Sequence, residues 1–280
     1  MKKFRLFLAG ILVLGLGLLT LGGCRTATTA HLEVVTSTSL LAQIVERVGG
    51  NLVSVVNIIP PAQCPGHFDV KPGDIQKLAD AGLFLLHGWQ GEQFSAELVA
   101  SANNPDLTVV PVNIPGNWMV PSVQIQAVDT ILAALSDVDS ENAATYQEAA
   151  AAYKASVTAK EAEIEARLAG LNLPSINVMC SNQLTDFVQW LGLNVVADFG
   201  RPEDLTPQVV QGLVDTGRTG KVTLIIDNLQ SGEDAGKGLA EELGCQRVVF
   251  TNFPGGFDNT ETWEKALDYD VGLVLGAIAQ

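Results

Sequence analysis

The sequence predicts an α/β protein of two lobes. Each lobe has a mostly parallel four-stranded sheet flanked by helices, one long rigid connector helix joins them, and a ligand cleft lies between them. Three observations predict this. Strand-like and helix-like segments alternate four times before residue 139. A run from residue 141 to 169, rich in Ala and Glu with Lys and Gln among its polar residues, then contains neither Gly nor Pro. As one helix it would span about 43 Å, longer than a single lobe, so it reads as a connector and not only as a solvated surface helix. The alternation resumes directly after it and repeats four more times.

The elements follow in order. Residues 32–35 have strand character, and residues 40–48 form a helix with Ser39 as N-cap and Gly49-Gly50 at its end. Residues 53–59, 83–86 and 107–112 are the next strands, separated by helices over 74–81 and 94–102. Pro121 and Ser122 open a helix over 123–135 that closes the first lobe, residues 31–138. The connector takes residues 139–171. In the second lobe, residues 172–280, strands are predicted at 176–179, 195–199, 222–226 and 247–250, with helices at 184–191, 207–214, 234–243 and 260–279.

The N-terminus reads as a lipoprotein signal peptide over residues 1–23. Lys2, Lys3 and Arg5 precede an apolar run over 6–19 that is short for a membrane span. Leu21-Gly22-Gly23-Cys24 looks like a bacterial lipobox, with Cys24 acylated as the new N-terminus and residues 24–30 as a tether. The protein is then exported and lipid-anchored, facing the periplasm or the cell exterior. Removing residues 1–23 leaves 13 Lys and Arg against 31 Asp and Glu, a net charge of −18. That charge excludes a nucleic-acid partner, which needs a basic footprint. Three cysteines remain beyond Cys24 (Cys64, Cys180 and Cys245), an odd number, so at least one thiol is unpaired within the chain.

Open α/β sheets bind ligands beyond the carboxyl ends of their strands. In the first lobe those ends carry Thr36-Ser37-Thr38, the loop from Cys64 to Asp69, His87-Gly88-Trp89 and Gly116-Asn117-Trp118. In the second they carry Cys180-Ser181-Asn182, Gly200-Arg201, Asp227-Asn228 and Thr251-Asn252. The candidate pocket is therefore Cys64, Gly66, His67, Asp69, Trp89, Gly116, Asn117, Trp118, Cys180, Ser181, Asn182, Arg201, Asp227 and Asn252. Cys64 and Cys180 are read either as packed small hydrophobes, as a disulfide across the cleft, or as ligands. An enzyme is not expected: Cys64 and His67 share one short loop with no third group to orient the imidazole, and no cofactor for catalysis is implied.

Val34-Val35-Thr36-Ser37, the Pro60-Pro61 loop, the run from Asp74 to Phe84, Trp118 followed by Pro121, the connector helix and Phe250-Thr251-Asn252 form one further pattern. In these stretches the chain resembles the metal-type solute-binding lipoproteins of bacterial ABC importers, those for zinc and manganese. The resemblance implies a monomer that delivers a metal ion or metal complex to an ABC permease and its ATPase. It also implies four metal-ligand positions, which fall here on Gly66 (with His67 one residue late), Gly116, Ser181 (beside Cys180) and Asn252. None is an expected ligand. Two outcomes follow: a pocket widened by the lost imidazoles, which would also admit a metal-free organic solute, or a rebuilt soft-metal site of Cys64, His67, Cys180 and Asp227. A surface adhesin or sensor subunit on the same fold remains an alternative role.

Overall fold

The computed structural model describes residues 31–89 and 92–279. The signal-peptide segment, the tether and the lipidation candidate Cys24 lie outside the described residues. In the first lobe, β1 (Leu32–Thr36), α1 (Ser39–Gly49), β2 (Val53–Asn57), α2 (Pro72–Ala79), β3 (Leu83–Leu86), α3 (Phe94–Ala102), β4 (Thr108–Pro111) and α4 (Pro121–Val138) follow one another. The long helix α5 (Ala143–Leu168) comes next. The second lobe contains β5 (Asn177–Ser181), α6 (Thr185–Trp190), β6 (Asn194–Phe199), α7 (Pro207–Thr219), β7 (Leu224–Asn228), α8 (Leu229–Gly232), α9 (Lys237–Leu243), β8 (Gln246–Phe250) and α10 (Trp263–Ile278).

Both sheets are four-stranded and parallel, in the orders β2-β1-β3-β4 and β6-β5-β7-β8. The two lobes thus repeat one plan. The central strands β3 and β7 are buried along their whole length, as strands covered by helices on both faces must be. In each sheet the chain leaves its first strand to one side and then returns to the other. This places the switch of direction between β1 and β3, and between β5 and β7, and such switch points are where open sheets leave a crevice.

Helix α5 has one buried stripe, Tyr146, Ala150, Tyr153, Val157 and Ile164, at helical spacing. It packs against α1 and α4 of the first lobe and against α10 of the second. The largest apolar cluster consequently runs through both lobes and includes Leu41, Trp118, Phe187, Phe250 and Trp263 alongside this stripe. Polar contacts reinforce it. The Tyr153 hydroxyl donates to Gln43 Oε1 at 2.9 Å and accepts from Gln124 Nε2 at 2.9 Å, all buried. Lys160 and Arg167 on α5 pair with Asp268 on α10 at 3.0 and 2.6 Å.

Element boundaries differ from the sequence reading where capping decides them. The last helix starts at Trp263 and not at residue 260, because the Thr262 hydroxyl accepts from Lys265 N at 3.3 Å. The helix expected over 234–243 is shortened to α9, which starts at Lys237, and a separate short helix that the sequence reading did not include, α8, precedes that range and ends at Gly232, whose φ of 114° stops it.

Trp263 is fully buried at the junction of the lobes, and its Nε1 donates to the Trp118 carbonyl at 3.0 Å. Trp263→Ala is expected to cost about 3–5 kcal/mol in urea unfolding, and Trp263→Phe, which keeps most of the packing, substantially less. Equal losses would show that the hydrogen bond and not the packing matters.

Candidate functional site

The carboxyl ends of the two sheets enclose a cavity of about 730 Å³ between the lobes. That volume falls within the range of small-molecule sites, roughly 300–1,000 Å³. Its first-lobe wall contains Cys64, Gly66, Trp89, Gln93 and Gly116, and its second-lobe wall Asn182, Gln183, Arg201, Gln230, Asn252 and Phe253. Glu203 and Asp204 also reach it.

Neutral amides cross the seam at its base. Asn117 Nδ2, from the first lobe, donates to the Gln183 carbonyl at 2.8 Å and to Asn252 Oδ1 at 2.9 Å. Asn252 Nδ2 donates to the same carbonyl at 3.2 Å, and its backbone N–H donates to Gln230 Oε1 at 3.0 Å. Gln230 Nε2 in turn donates to the Pro61 carbonyl of the first lobe at 2.8 Å. A Gln or Asn offers both a donor and an acceptor, so a chain of amides can satisfy itself without charge.

Aromatic residues form the floor. His87 is fully buried, stacked on Trp89 at 3.6 Å and set edge-on to Trp118 at 4.4 Å. Its Nε2 lies 2.7 Å from the Thr38 hydroxyl, and burial holds its pKa well below the ordinary histidine value, so the ring is neutral. Glu92 is buried beside it, bonded to the Ser37 hydroxyl and to the Gly88 N–H, and desolvation pushes its carboxyl up. This pair keeps Trp89 in place against the cavity.

The sequence-predicted residues divide accordingly. Cys64, Gly66, Trp89, Gly116, Asn182, Arg201 and Asn252 line the cavity, and Asn117 ties its base. The remainder lie elsewhere. Trp118 is 2% exposed and belongs to the core below the floor. Ser181 is buried with its hydroxyl unpartnered among the described residues. Cys180 is enclosed in the main apolar cluster, 3.9 Å from the Thr185 hydroxyl, and burial raises its thiol to about 12. Asp69 is exposed. His67 ends a short turn over Pro65–His67 and projects to the outer lip, where its Nε2 meets Glu203 at 3.4 Å. Asp227 is buried under the second lobe and occupied by Arg247 at 2.6 Å and the Gly236 N–H at 2.7 Å; burial raises its carboxyl and Arg247 opposes that rise.

Three expectations are thereby corrected. The set Cys64, His67, Cys180 and Asp227 does not assemble: only Cys64 reaches the cavity, and among the described residues no group of three or more His, Cys, Asp or Glu is placed to hold a metal ion. Cys64, Cys180 and Cys245 are all free thiols, so no disulfide crosses the cleft. Nor is the room beside Gly66 empty, since a Cβ there would lie 2.9 Å from Arg201 Nη1. Gly116 has a φ of 96°, a conformation that excludes most side chains whatever the space. Sequence reasoning missed Gln183, Gln230 and Phe253, each of which lies one or two residues beyond a strand-end segment that it did select.

The fold is that of a two-lobe α/β protein with a solute-sized cleft between its sheets. Residues 34–272 match the family described as zinc-uptake complex component A, periplasmic, and the chain belongs to that family. It is 27% identical over 127 residues to the manganese-binding lipoprotein MntA of Halalkalibacterium halodurans, an alignment covering 41% of this chain and 42% of MntA. The chain therefore spans less than half the length of that relative. The iron-binding protein YfeA of Yersinia pestis is 22% identical over 244 residues, covering 78% of this chain and 76% of YfeA. Among solved structures, the solute-binding protein FpvC of P. aeruginosa in complex with Ni2+ has the same fold, with a TM-score of 0.77 at 20% identity, covering 89% of this chain and 97% of that one.

Behind the Asn252 loop, the Thr251 N–H donates to Asp270 Oδ1 at 3.0 Å. Asp270 is fully buried, and desolvation holds its carboxyl well above the ordinary carboxylate range. The native state then retains a proton that the unfolded chain has lost, so this group weakens the fold as pH rises from the usual carboxylate pKa toward the raised one. Asp270→Asn is expected to remove that loss. In urea titrations at stepped pH, the stability difference between variant and wild type should shift in the variant's favour as pH rises; a difference independent of pH would overturn the assignment.

Proposed function

We propose that this chain is the extracytoplasmic substrate-binding component of an ABC importer, and that its cargo is a metal held in a complex by ligands of the cargo's own. A lipid on Cys24 would tether the protein to the membrane, and a monomer would present its two lobes to a permease coupled to an ATPase. Family membership and the relatives named above support the transport role. The observation that carries the cargo assignment is a solute-sized cavity between the lobes in which amides are the commonest lining side chains, with no group of three or more His, Cys, Asp or Glu placed to hold a bare ion among the described residues. Bare zinc takes about four N, S or O ligands in a tetrahedron, whereas a chelated metal brings its coordination shell with it and needs only hydrogen bonds and shape.

Native mass spectrometry with metal analysis, on protein purified without added metal, tests this. The expected result is a metal together with a stoichiometric organic mass. A bare metal bound one to one and lost in Cys64→Ser would overturn the chelate reading in favour of a site on Cys64. An organic mass without metal would make the cargo a metal-free solute. Trp89 faces the cavity, so cargo binding is also expected to change tryptophan emission, and Trp89→Phe to remove most of that change. An unaltered response in the variant would place the reporter elsewhere.

A further inference from the structure

Arg201 follows β6 in the second lobe, and its guanidinium reaches across the seam to the first. Nη1 and Nη2 would lie 2.9 and 3.4 Å from a Cβ on Gly66, so the cation occupies the place that a side chain at position 66 would fill. Its backbone N–H is bonded to Asp204 Oδ2 at 3.3 Å. Its side chain, by contrast, forms no hydrogen bond or ion pair among the described residues. The other half-buried arginine of this lobe is saturated: Arg247 pairs with Asp227 at 2.6 Å and Asp234 at 3.1 Å. Neither carboxylate on the same wall lies within ion-pair distance of the guanidinium: Asp204 accepts from the Arg201 backbone N–H and Glu203 faces His67 at 3.4 Å.

A guanidinium is always protonated, and its fork of N–H donors matches the two oxygens of a carboxylate or phosphate. Partly withdrawn from water and without a counter-ion, it favours an anion beside it and disfavours a bare cation. We propose that the cargo carries a negative oxyanion group, that Arg201 selects it, and that a polycarboxylate chelate of a metal is the solute class. This rests on the solute-binding reading above and names the charge of the cargo at the same cleft. Gly66 is a positioning residue here, because its missing side chain lets the guanidinium cross the seam.

Calorimetric titration of wild type, Arg201→Gln, Arg201→Lys and Gly66→Ala with ferric citrate, citrate, inorganic phosphate and MnCl2 alone tests the inference, with thermal melts confirming that each variant folds. Wild type is expected to bind at least one oxyanion probe with a Kd below about 1 mM, and ferric citrate most tightly. Arg201→Gln should weaken that binding about tenfold or more, Arg201→Lys less, and Gly66→Ala should weaken it by displacing the guanidinium. Gly66→Ala keeps Arg201 and carries the test alone should Arg201→Gln fail to fold. Equal oxyanion binding by wild type and Arg201→Gln would overturn the role of Arg201 and leave the chelate reading standing. Tight binding of MnCl2 alone, undiminished in Arg201→Gln, would overturn both. Binding of citrate or phosphate as tight as that of ferric citrate would retain the anion and reject the metal. No oxyanion bound below about 1 mM would overturn the inference, leaving the mass spectrometry above to judge the cargo independently.

Discussion

The geometry of the cleft depends on one packing constraint, the buried stripe of α5. A parallel sheet must cover both faces with helices, and each lobe here is too small to shield all of its apolar surface alone. Tyr146, Ala150, Tyr153, Val157 and Ile164 supply the missing cover to both lobes at once. Because one rigid helix serves both, the mutual position of the lobes is fixed by core packing and not by a flexible hinge. The buried Gln124–Tyr153–Gln43 chain adds a register, since sliding the helix by one turn would strand two amides and a hydroxyl away from water. Burial raises the Tyr153 pKa to about 12 against the lowering effect of those two hydrogen bonds, so the phenol stays neutral.

With the back of the molecule fixed, the seam at the front is left to small polar contacts. Asn117, Asn252, Gln183 and Gln230 join the lobes by hydrogen bonds that each contribute about 0.5–1.5 kcal/mol net. They carry no charge, so the base of the cleft attracts neither sign strongly. The polarity of the site is set higher up, where Arg201 and the two carboxylates reach the cavity. Trp89 contributes shape more than charge, braced from behind by a neutral His87.

Much of the fold was legible in the sequence because it rests on period. Buried parallel strands read as short apolar runs and helices as amphipathic ones, and both patterns survive substitution. The site was legible only as far as strand ends go. Strand alternation alone would put Cys180 and Asn182 on the same face, and they part company because β5 ends at Ser181. Cys180 points into the core, and Asn182 has already left the sheet for the cavity. Asp227 was misread for another reason. Its partner Arg247 lies on β8, and only the observed strand order makes β7 and β8 neighbours. Gln183 and Gln230 gave no signal at all, because a neutral amide is as common on a surface as in a binding site.

The arrangement also places two electrostatic scales in opposition. The chain beyond residue 23 has a net charge of −18, which repels an anionic solute at long range. At physiological ionic strength that repulsion decays within about 8 Å, so it slows the approach more than it weakens the bound state. Inside the cleft, the Arg201 guanidinium stands at the seam beside Gly66, while Glu203 and Asp204 reach the cavity from the second-lobe wall. A local cation set in an acidic body therefore discriminates in two stages. The body draws cations to its surface, but under the proposed role of Arg201 a bare ion at the seam would face a guanidinium where a side chain at position 66 would stand. A chelate of modest negative charge passes the outer field at small cost and meets its counter-charge only on entry. The proposed role of Arg201 thus puts recognition on the shell around the metal, because its guanidinium fills the place that a side chain at position 66 would take.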